Sequence, residues 1–332
     1  MSVNPLSKAQ LYQMLSPKVQ EFILLPTEQC NFRCTYCYED FEKGRMSKET
    51  IEAFKQLLAT RMPELKHLTL SWFGGEPLVA KDIVMDISSY ALELSQKYNV
   101  DFHAGMTTNA YMLNNELFKA LLEVGVNAYQ ISLDGFGEVH DQTRKRADGK
   151  GTFNRIWKNL LDIRDSDQKF TIKLRIHLDY DKVSNIEPLI RELREHFVDD
   201  PRFTIMLKPL AKLGGKNDAN MDVISRQDES TILEELYLRL YGHKVEHEFL
   251  KDYVCYAAKP NSLIIRSDGS LGKCTVALND SRNAIGQLLS NGTIQVNQQL
   301  LQNWTRGISN NDRSELACPL ASLPDTLLMS GI

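Results

Sequence analysis

The chain has 332 residues, of which 42% are hydrophobic and 25% charged, and its formal net charge is −4. That composition is ordinary for a globular protein, and the length suits one large domain with a smaller one beside it. With no block of like charges, no secretory signal at the N-terminus and no run of membrane-spanning length, the expectation is a cytoplasmic protein with no membrane or nucleic-acid partner.

Residues 1–20 form an N-terminal extension, too short for a core of its own. Short β-branched and aliphatic runs then fall at 22–25, 68–73, 100–107, 128–133, 171–178 and 203–208. Between the first two, Ser47 precedes Ile51, Phe54, Leu57 and Leu58, whose spacing gives a capped helix with one apolar face. Comparable faces occur over 83–98, 115–124, 153–164 and 185–197. Strand and helix in alternation signal a parallel sheet, and six such units over 21–212 predict an α/β fold. The expected form is a partial (β/α)6 TIM-like barrel, since the closed eight-unit version usually needs roughly 250 residues.

After Pro209 the texture changes. Gly214 and Gly215 begin a polar stretch through Asp222, and a helix is predicted over 227–241, so 213–250 reads as a helical linker. His243 and His247 are spaced like paired ligands on a helix but are expected to face solvent. Over 251–332, a small C-terminal domain is expected in which Leu263, Ile264 and Ile265 lead into a hairpin turn at Ser267, Asp268, Gly269 and Ser270.

The six cysteines are unevenly placed. A reducing cytosol favours metal ligands or core residues over three disulfides. Cys30, Cys34 and Cys37 follow directly on the first strand, where a loop can wrap a compact metal centre, and thiolates are the usual ligands of iron–sulfur clusters. Three ligands leave one iron of a four-iron cube open. The competing reading is structural zinc, which wants four ligands and finds no fourth Cys or His nearby. Gly74-Gly75-Glu76-Pro77 follows the second strand, Thr107-Thr108-Asn109 ends the third, and Ser132-Leu133-Asp134-Gly135 ends the fourth, the end at which barrel enzymes place their chemistry. Arg144 follows within His140-Asp141-Gln142-Thr143-Arg144, and a guanidinium can bind a carboxylate bidentately. Cys255, Gly269 and Cys274 read C-x13-G-x4-C, with Cys318 further on. These three could instead be buried thiols or a zinc site.

Taken together, the C-x3-C-x2-C spacing and the strand-end motifs resemble the radical S-adenosylmethionine superfamily, and Cys255 to Cys274 resembles the opening of its SPASM or twitch type of auxiliary-cluster domain. The resemblance covers about residues 20–325. It implies a [4Fe-4S] cluster on Cys30, Cys34 and Cys37, whose open iron is chelated by S-adenosylmethionine. Transfer of one electron then gives a 5'-deoxyadenosyl radical. By the same resemblance Gly74, Gly75, Glu76 and Pro77 meet the methionine ammonium. Thr108, Asn109, Ser132 and Asp134 touch the methionine or ribose portion, Arg144 the carboxylate, and Tyr36 and Leu207 the adenine. Cys255, Cys274 and Cys318 would hold one auxiliary iron–sulfur cluster, whereas two complete ones lack ligands. Catalytic side chains and the general base stay unidentified.

Family members of this type commonly modify ribosomally made peptides. The implied activity is therefore a peptide maturase that forms a carbon–carbon or thioether cross-link, an oxidation or an epimerised centre. A precursor peptide or protein would be its substrate, and a flavodoxin or ferredoxin its electron donor. Alternatives are an anaerobic sulfatase-maturating type of enzyme, a sugar or aminocyclitol dehydrogenase, and a non-catalytic zinc-binding protein. Leader recognition, with so little chain before the first strand, would use the barrel face or another protein.

Overall fold

A computed structural model describes residues 6–245 and 253–324 of the chain. Helix α1 (Lys8–Leu15) comes first, closed by a reciprocal capping box between Ser7 and Gln10. Six strand-and-helix steps follow. Strand β1 (Val19–Leu24) leads to α2 (Lys48–Arg61), β2 (His67–Trp72) to α3 (Lys81–Tyr98), and β3 (Asp101–Thr108) to α4 (Asn115–Glu123). Next, β4 (Val126–Leu133) is followed by the short α5 (Glu138–Thr143) and by α6 (Phe153–Arg164). Strand β5 (Thr171–Leu178) precedes α7 (Tyr180–Ser184) and α8 (Glu187–His196), and β6 (Phe203–Pro209) precedes α9 (Arg226–Tyr241). Ser47, Asn114 and Ser225 cap α2, α4 and α9 by accepting backbone N–H bonds.

The C-terminal part supplies β7 (Ser262–Ile265), β8 (Ser270–Gly272), β9 (Gly286–Leu288), β10 (Ile294–Val296), α10 (Gln298–Asn310) and α11 (Arg313–Ala317). All ten strands belong to one sheet, in the order β10-β9-β8-β7-β1-β2-β3-β4-β5-β6. Strands β1 to β6 run parallel in sequence order and form the unclosed, partial barrel that the alternation predicts. On the free side of β1, β7 pairs in parallel, with Glu21 opposite Ser262 and Leu24 opposite Ile265. The sheet thus takes in strands from both sides of the 213–250 segment that the sequence suggests as a linker.

Alternate side chains of the parallel strands take opposite environments. Leu70 and Trp72, Leu174 and Ile176, and Ile205 and Leu207 join the helix residues Phe54, Val84, Phe118 and Leu160 in one large buried cluster. The other phase is polar. Glu21, Ser71, Thr107, Gln130, Arg175 and Lys208 line a cavity of about 820 Å³ inside the partial barrel. This division explains why β1 starts three residues before the apolar run that marks it in the sequence. Gln20 and Glu21 are polar, and Glu21 belongs to the cavity face.

Helix α1 is not free-standing, because Met14 is buried with Ala258 and Leu316 of the C-terminal part. Sequence periodicity misses α5, α7, α10 and α11, and α1 as well. Three are only five or six residues long, and α10 is rich in Gln and Asn, though Trp304 on it is fully buried. His243 is exposed, as expected, whereas His247 lies outside the described residues.

Candidate functional site

Beyond β1 the chain turns into the loop that carries Cys30, Cys34 and Cys37. Backbone bonds pin this loop to the end of α5 and the segment after it: Arg33 N–H donates to Lys145 O at 2.8 Å, Thr35 N–H to Thr143 O at 3.0 Å, and Ala147 N–H to Asn31 O at 2.9 Å. The Arg33 guanidinium donates to Cys30 O (2.7 Å) and Phe32 O (2.6 Å) and covers the Phe41 ring at 4.5 Å.

Beneath the loop lies the turn after β2. Gly74 and Gly75 have φ of +84° and +34°, and a Cβ on Gly75 would stand 2.2 Å from Gln29 O. Only glycine lets the two backbones approach this closely. Glu76 N–H donates to Gln29 O at 3.0 Å, and Gly75 N–H to Glu39 Oε2 at 2.8 Å. Buried Pro77 then starts a short 3-10 turn.

Burial pushes all three thiols upward, Cys37 to about 12, and for Cys30 and Cys37 the neighbouring thiolates and carboxylates add to the effect. Thiolates grouped in this way need a local positive charge, which a metal centre supplies. Among the described residues, no three His, Cys, Asp or Glu side chains gather as they would around one metal ion. Three thiols on one loop are a donor set of the kind that iron–sulfur clusters take.

The Glu76 side chain, 1% exposed, joins the second and third strand ends. Its Oε1 accepts from Thr108 Oγ1 (2.7 Å) and Leu78 N–H (3.0 Å), and its Oε2 from Asn109 N–H (2.6 Å). Burial still holds its carboxyl above the ordinary range. Asn109 reaches the cysteine loop, donating from Nδ2 to Asn31 Oδ1 at 2.8 Å with Cys30 Sγ 4.0 Å away.

A second polar knot sits over the ends of β4 and β5. Asp134, fully buried, accepts from Tyr36 OH (2.9 Å) and Thr143 Oγ1 (2.6 Å), and His177 Nδ1 lies 3.1 Å from it. Arg144 Nη1 donates to the Tyr36 oxygen at 2.8 Å. Burial alone would raise Asp134, yet His177 and Arg144 hold it well below the usual carboxylate range. Burial pushes His140 and His177 each down to about 4, so both are neutral. Thr152 Oγ1 donates to Arg144 O (2.6 Å) and stands 3.1 Å from His140 Nε2, which therefore carries the ring proton while Nδ1 accepts from Asp134 N–H (3.2 Å).

Arg144 Nε is buried without a hydrogen-bond partner. A guanidinium left with spare donor capacity fits an anionic group that the protein does not itself provide, such as the carboxylate of a methionine moiety. Ser132 Oγ accepts from Arg175 Nε at 3.1 Å. Leu207 stands apart from this knot. It shares the helix-facing phase of β6 with Ile205, and its N–H donates to Tyr237 OH at 3.1 Å.

The other three cysteines lie in one region of the C-terminal part, near enough to influence one another electrostatically. Cys255 N–H donates to Leu316 O at 2.8 Å, Cys274 follows β8, and Cys318 ends α11. Asn283 fastens the middle one: its Oδ1 accepts from Cys274 N–H (2.9 Å) and its Nδ2 donates to Cys274 O (2.9 Å). Burial raises the Cys255 and Cys274 thiols, and each also feels the charge of Cys318. Lys273 lies buried beside them, donating from Nζ to Lys259 O (2.5 Å) and Ser262 O, and burial pushes it down to about 7. The large cavity runs between the two cysteine groups, bounded by Tyr36 and Tyr38 on one side and by Tyr256, Thr275 and Val276 on the other.

Sequence reasoning missed several participants. Glu39, His140, His177, Arg175, Lys273 and the buried pair of Glu28 with Arg266 were not singled out. Arg175 and His177 were accessible, since they mark the polar phase of β5 at i and i+2. His140 stands in the motif that ends at Arg144 and bonds locally to Asp134 and Thr152, whereas the rest have no local signal.

The family model described as the Radical SAM superfamily matches residues 24–193, just over half of the chain, and the chain belongs to that superfamily. A [4Fe-4S] cluster and S-adenosylmethionine are its cofactors. Among curated relatives, the Fe-coproporphyrin III synthase of Methanosarcina barkeri is 26% identical over 229 residues, 68% of this chain and 54% of that protein. The cysteine-type anaerobic sulfatase-maturating enzyme of Clostridium novyi is 31% identical over 141 residues, 40% of this chain and 37% of that protein. The chain therefore spans about half the length, or less, of these relatives. In fold it resembles anSMEcpe, solved with AdoMet and the Cp18Cys peptide, at a TM-score of 0.63 and 19% identity over 90% of this chain and 88% of that one. It also resembles SuiB of Streptococcus suis bound to the precursor peptide SuiA, at 0.56 and 16% over 90% and 69%.

Proposed function

We propose that this chain modifies a ribosomally made peptide or protein, removing hydrogen from an unactivated carbon to leave a cross-link, an oxidation or an epimerised centre. The observation that carries this reading is the open cavity of about 820 Å³ whose walls come from both cysteine-bearing regions. It is large enough for part of an extended chain, and the unclosed sheet leaves a lateral entrance. Two fold neighbours, anSMEcpe and SuiB, were solved with peptides.

In this reading Cys30, Cys34 and Cys37 hold the [4Fe-4S] cluster, which with bound S-adenosylmethionine supplies a 5'-deoxyadenosyl radical. Gly74, Gly75 and Pro77 shape the turn that presents Glu76 to the methionine ammonium, for which Glu76 Oε2 keeps a free lone pair beside its bond from Asn109. Thr108 and Asn109 fix that carboxylate, and Arg144 offers Nε to the methionine carboxylate. Tyr36, Ser132 and Asp134 border the adenosine end, with Leu207 in the adjoining layer. Cys255, Cys274 and Cys318 hold one auxiliary cluster, a station for the electron released when a cross-link or oxidation forms. A flavodoxin or ferredoxin supplies the first electron. Oxidation of a Cys or Ser in a sulfatase is the second reading, favoured by the 31% identity to a sulfatase-maturating enzyme.

The test uses a deuterated cognate peptide, sought among short reading frames encoded beside the enzyme. Deuterium should appear in 5'-deoxyadenosine, and the peptide should lose two hydrogens for a cross-link or an oxidation. Substituting Cys255, Cys274 and Cys318 together should halve the iron of the anaerobically reconstituted protein. Label arriving only from a free sugar would overturn the peptide reading, and an unchanged iron count would remove the second cluster.

A further inference from the structure

The cavity between the cysteine groups holds charges that the cofactor chemistry does not use. Lys173 and Arg175 on β5 and Lys208 on β6 all line it, against one carboxylate, Glu21 on β1. The three cations form a single wall. Lys173, Arg175 and His177 alternate along β5 and so leave the same face of the sheet, while Lys208 pairs in register with His177. Successive members of that row are roughly 6–7 Å apart along the strand, and the neighbouring strand is roughly 5 Å away, so long side chains from all three positions can reach one bound group.

Among the described residues, no carboxylate forms an ion pair with Lys173, Arg175 or Lys208. The guanidinium of Arg175 has one hydrogen bond to protein, from Nε to Ser132 Oγ at 3.1 Å. Burial presses its charge toward the neutral form and the neighbouring Arg144 adds to this, while Asp134 opposes it. The chain as a whole carries a net charge of −4, so a cavity with three bases and one acid is a local concentration rather than a reflection of composition. Low-dielectric walls focus such a field on whatever enters.

We infer that the β5–β6 wall of Lys173, Arg175 and Lys208 binds a carboxylate of the substrate, an aspartate or glutamate side chain of the peptide. This inference rests on the peptide reading above. Such a residue enters a pocket where the guanidinium and the ammonium groups replace its water, and the anchored carboxylate fixes which neighbouring carbon lies beneath the cofactor end of the cavity. A primary alkyl radical discriminates poorly between C–H bonds, so an anchor on the substrate backbone or side chain is what selects one of them.

The test measures fluorescence anisotropy of two labelled pentapeptides on the anaerobically reconstituted protein with S-adenosylmethionine. The peptides, Gly-Ala-Glu-Ala-Gly and Gly-Ala-Gln-Ala-Gly, differ in one charge, and free glutarate serves as competitor. The acidic peptide should bind about tenfold tighter at low salt, and the preference should shrink as salt is raised. A K173Q/K208Q variant should lose most of that preference while still binding S-adenosylmethionine, because both lysines are exposed to the cavity and outside the packed core. Equal binding of the two peptides, or an acid preference untouched in the variant, overturns the carboxylate wall and leaves the peptide reading standing. Glutarate binding that is lost in the variant, with neither peptide bound, supports the wall and removes the peptide reading instead.

Discussion

At the scale of single residues, the knot around Asp134 ties stability to pH. His140 and His177 have folded-state values near 4, below the ordinary 6.5, so the unfolded chain holds more protons than the folded one between those limits. Stability from these groups is complete above pH 6.5 and is lost as pH falls toward 4, at close to 1.4 kcal/mol per pH unit for each histidine. Asp134, depressed in the folded state, adds a further loss only below its unfolded value. Urea midpoints of the cluster-free protein should therefore fall steadily from pH 7 to pH 5, and His140→Gln should flatten the slope by about one proton. A midpoint independent of pH over that range would show that the two rings are not held neutral.

Among elements, the junction of β1 with β7 matters most, since it couples the first cysteine loop to the C-terminal part. Glu28, just beyond β1, and Arg266, just beyond β7, form a buried pair: Arg266 Nε donates to Glu28 Oε1 at 3.1 Å and Nη2 to Oε2 at 2.5 Å, while Nη1 donates to Leu278 O at 2.5 Å. Arg266→Met leaves a buried carboxylate without its partner and should cost about 3–5 kcal/mol in urea unfolding. Adding Glu28→Gln should recover a large part of that loss. A cost below about 1 kcal/mol for the single variant would mean that the pair is hydrated and marginal.

This junction also marks the limit of what the sequence discloses. The six barrel strands announce themselves because each alternates with an amphipathic helix inside a short window, and the hairpin of β7 and β8 is legible from its turn residues. The addition of β7 to β1 has no such signature, because its partners lie about 240 positions apart in sequence. The site divides along the same line. Cys30, Cys34, Cys37, Glu76 and Arg144 stand in dense local motifs. Glu28 with Arg266 and Tyr36 with His177 become partners only once the sheet is assembled. Leu207 falls between: the sequence places it on the right strand but cannot say that its side chain belongs to the helix-facing phase.

For the whole molecule, one sheet brings two cysteine-bearing regions to the flanks of one cavity. In the proposed function, Cys30, Cys34 and Cys37 form the centre that cleaves S-adenosylmethionine. The direct measurement is the yield of 5'-deoxyadenosine from anaerobically reconstituted, reduced protein supplied with S-adenosylmethionine, comparing the unaltered chain with Cys34→Ala. Steady production by the former and none above background by the latter is expected, whereas equal yields from both would place the cleavage elsewhere.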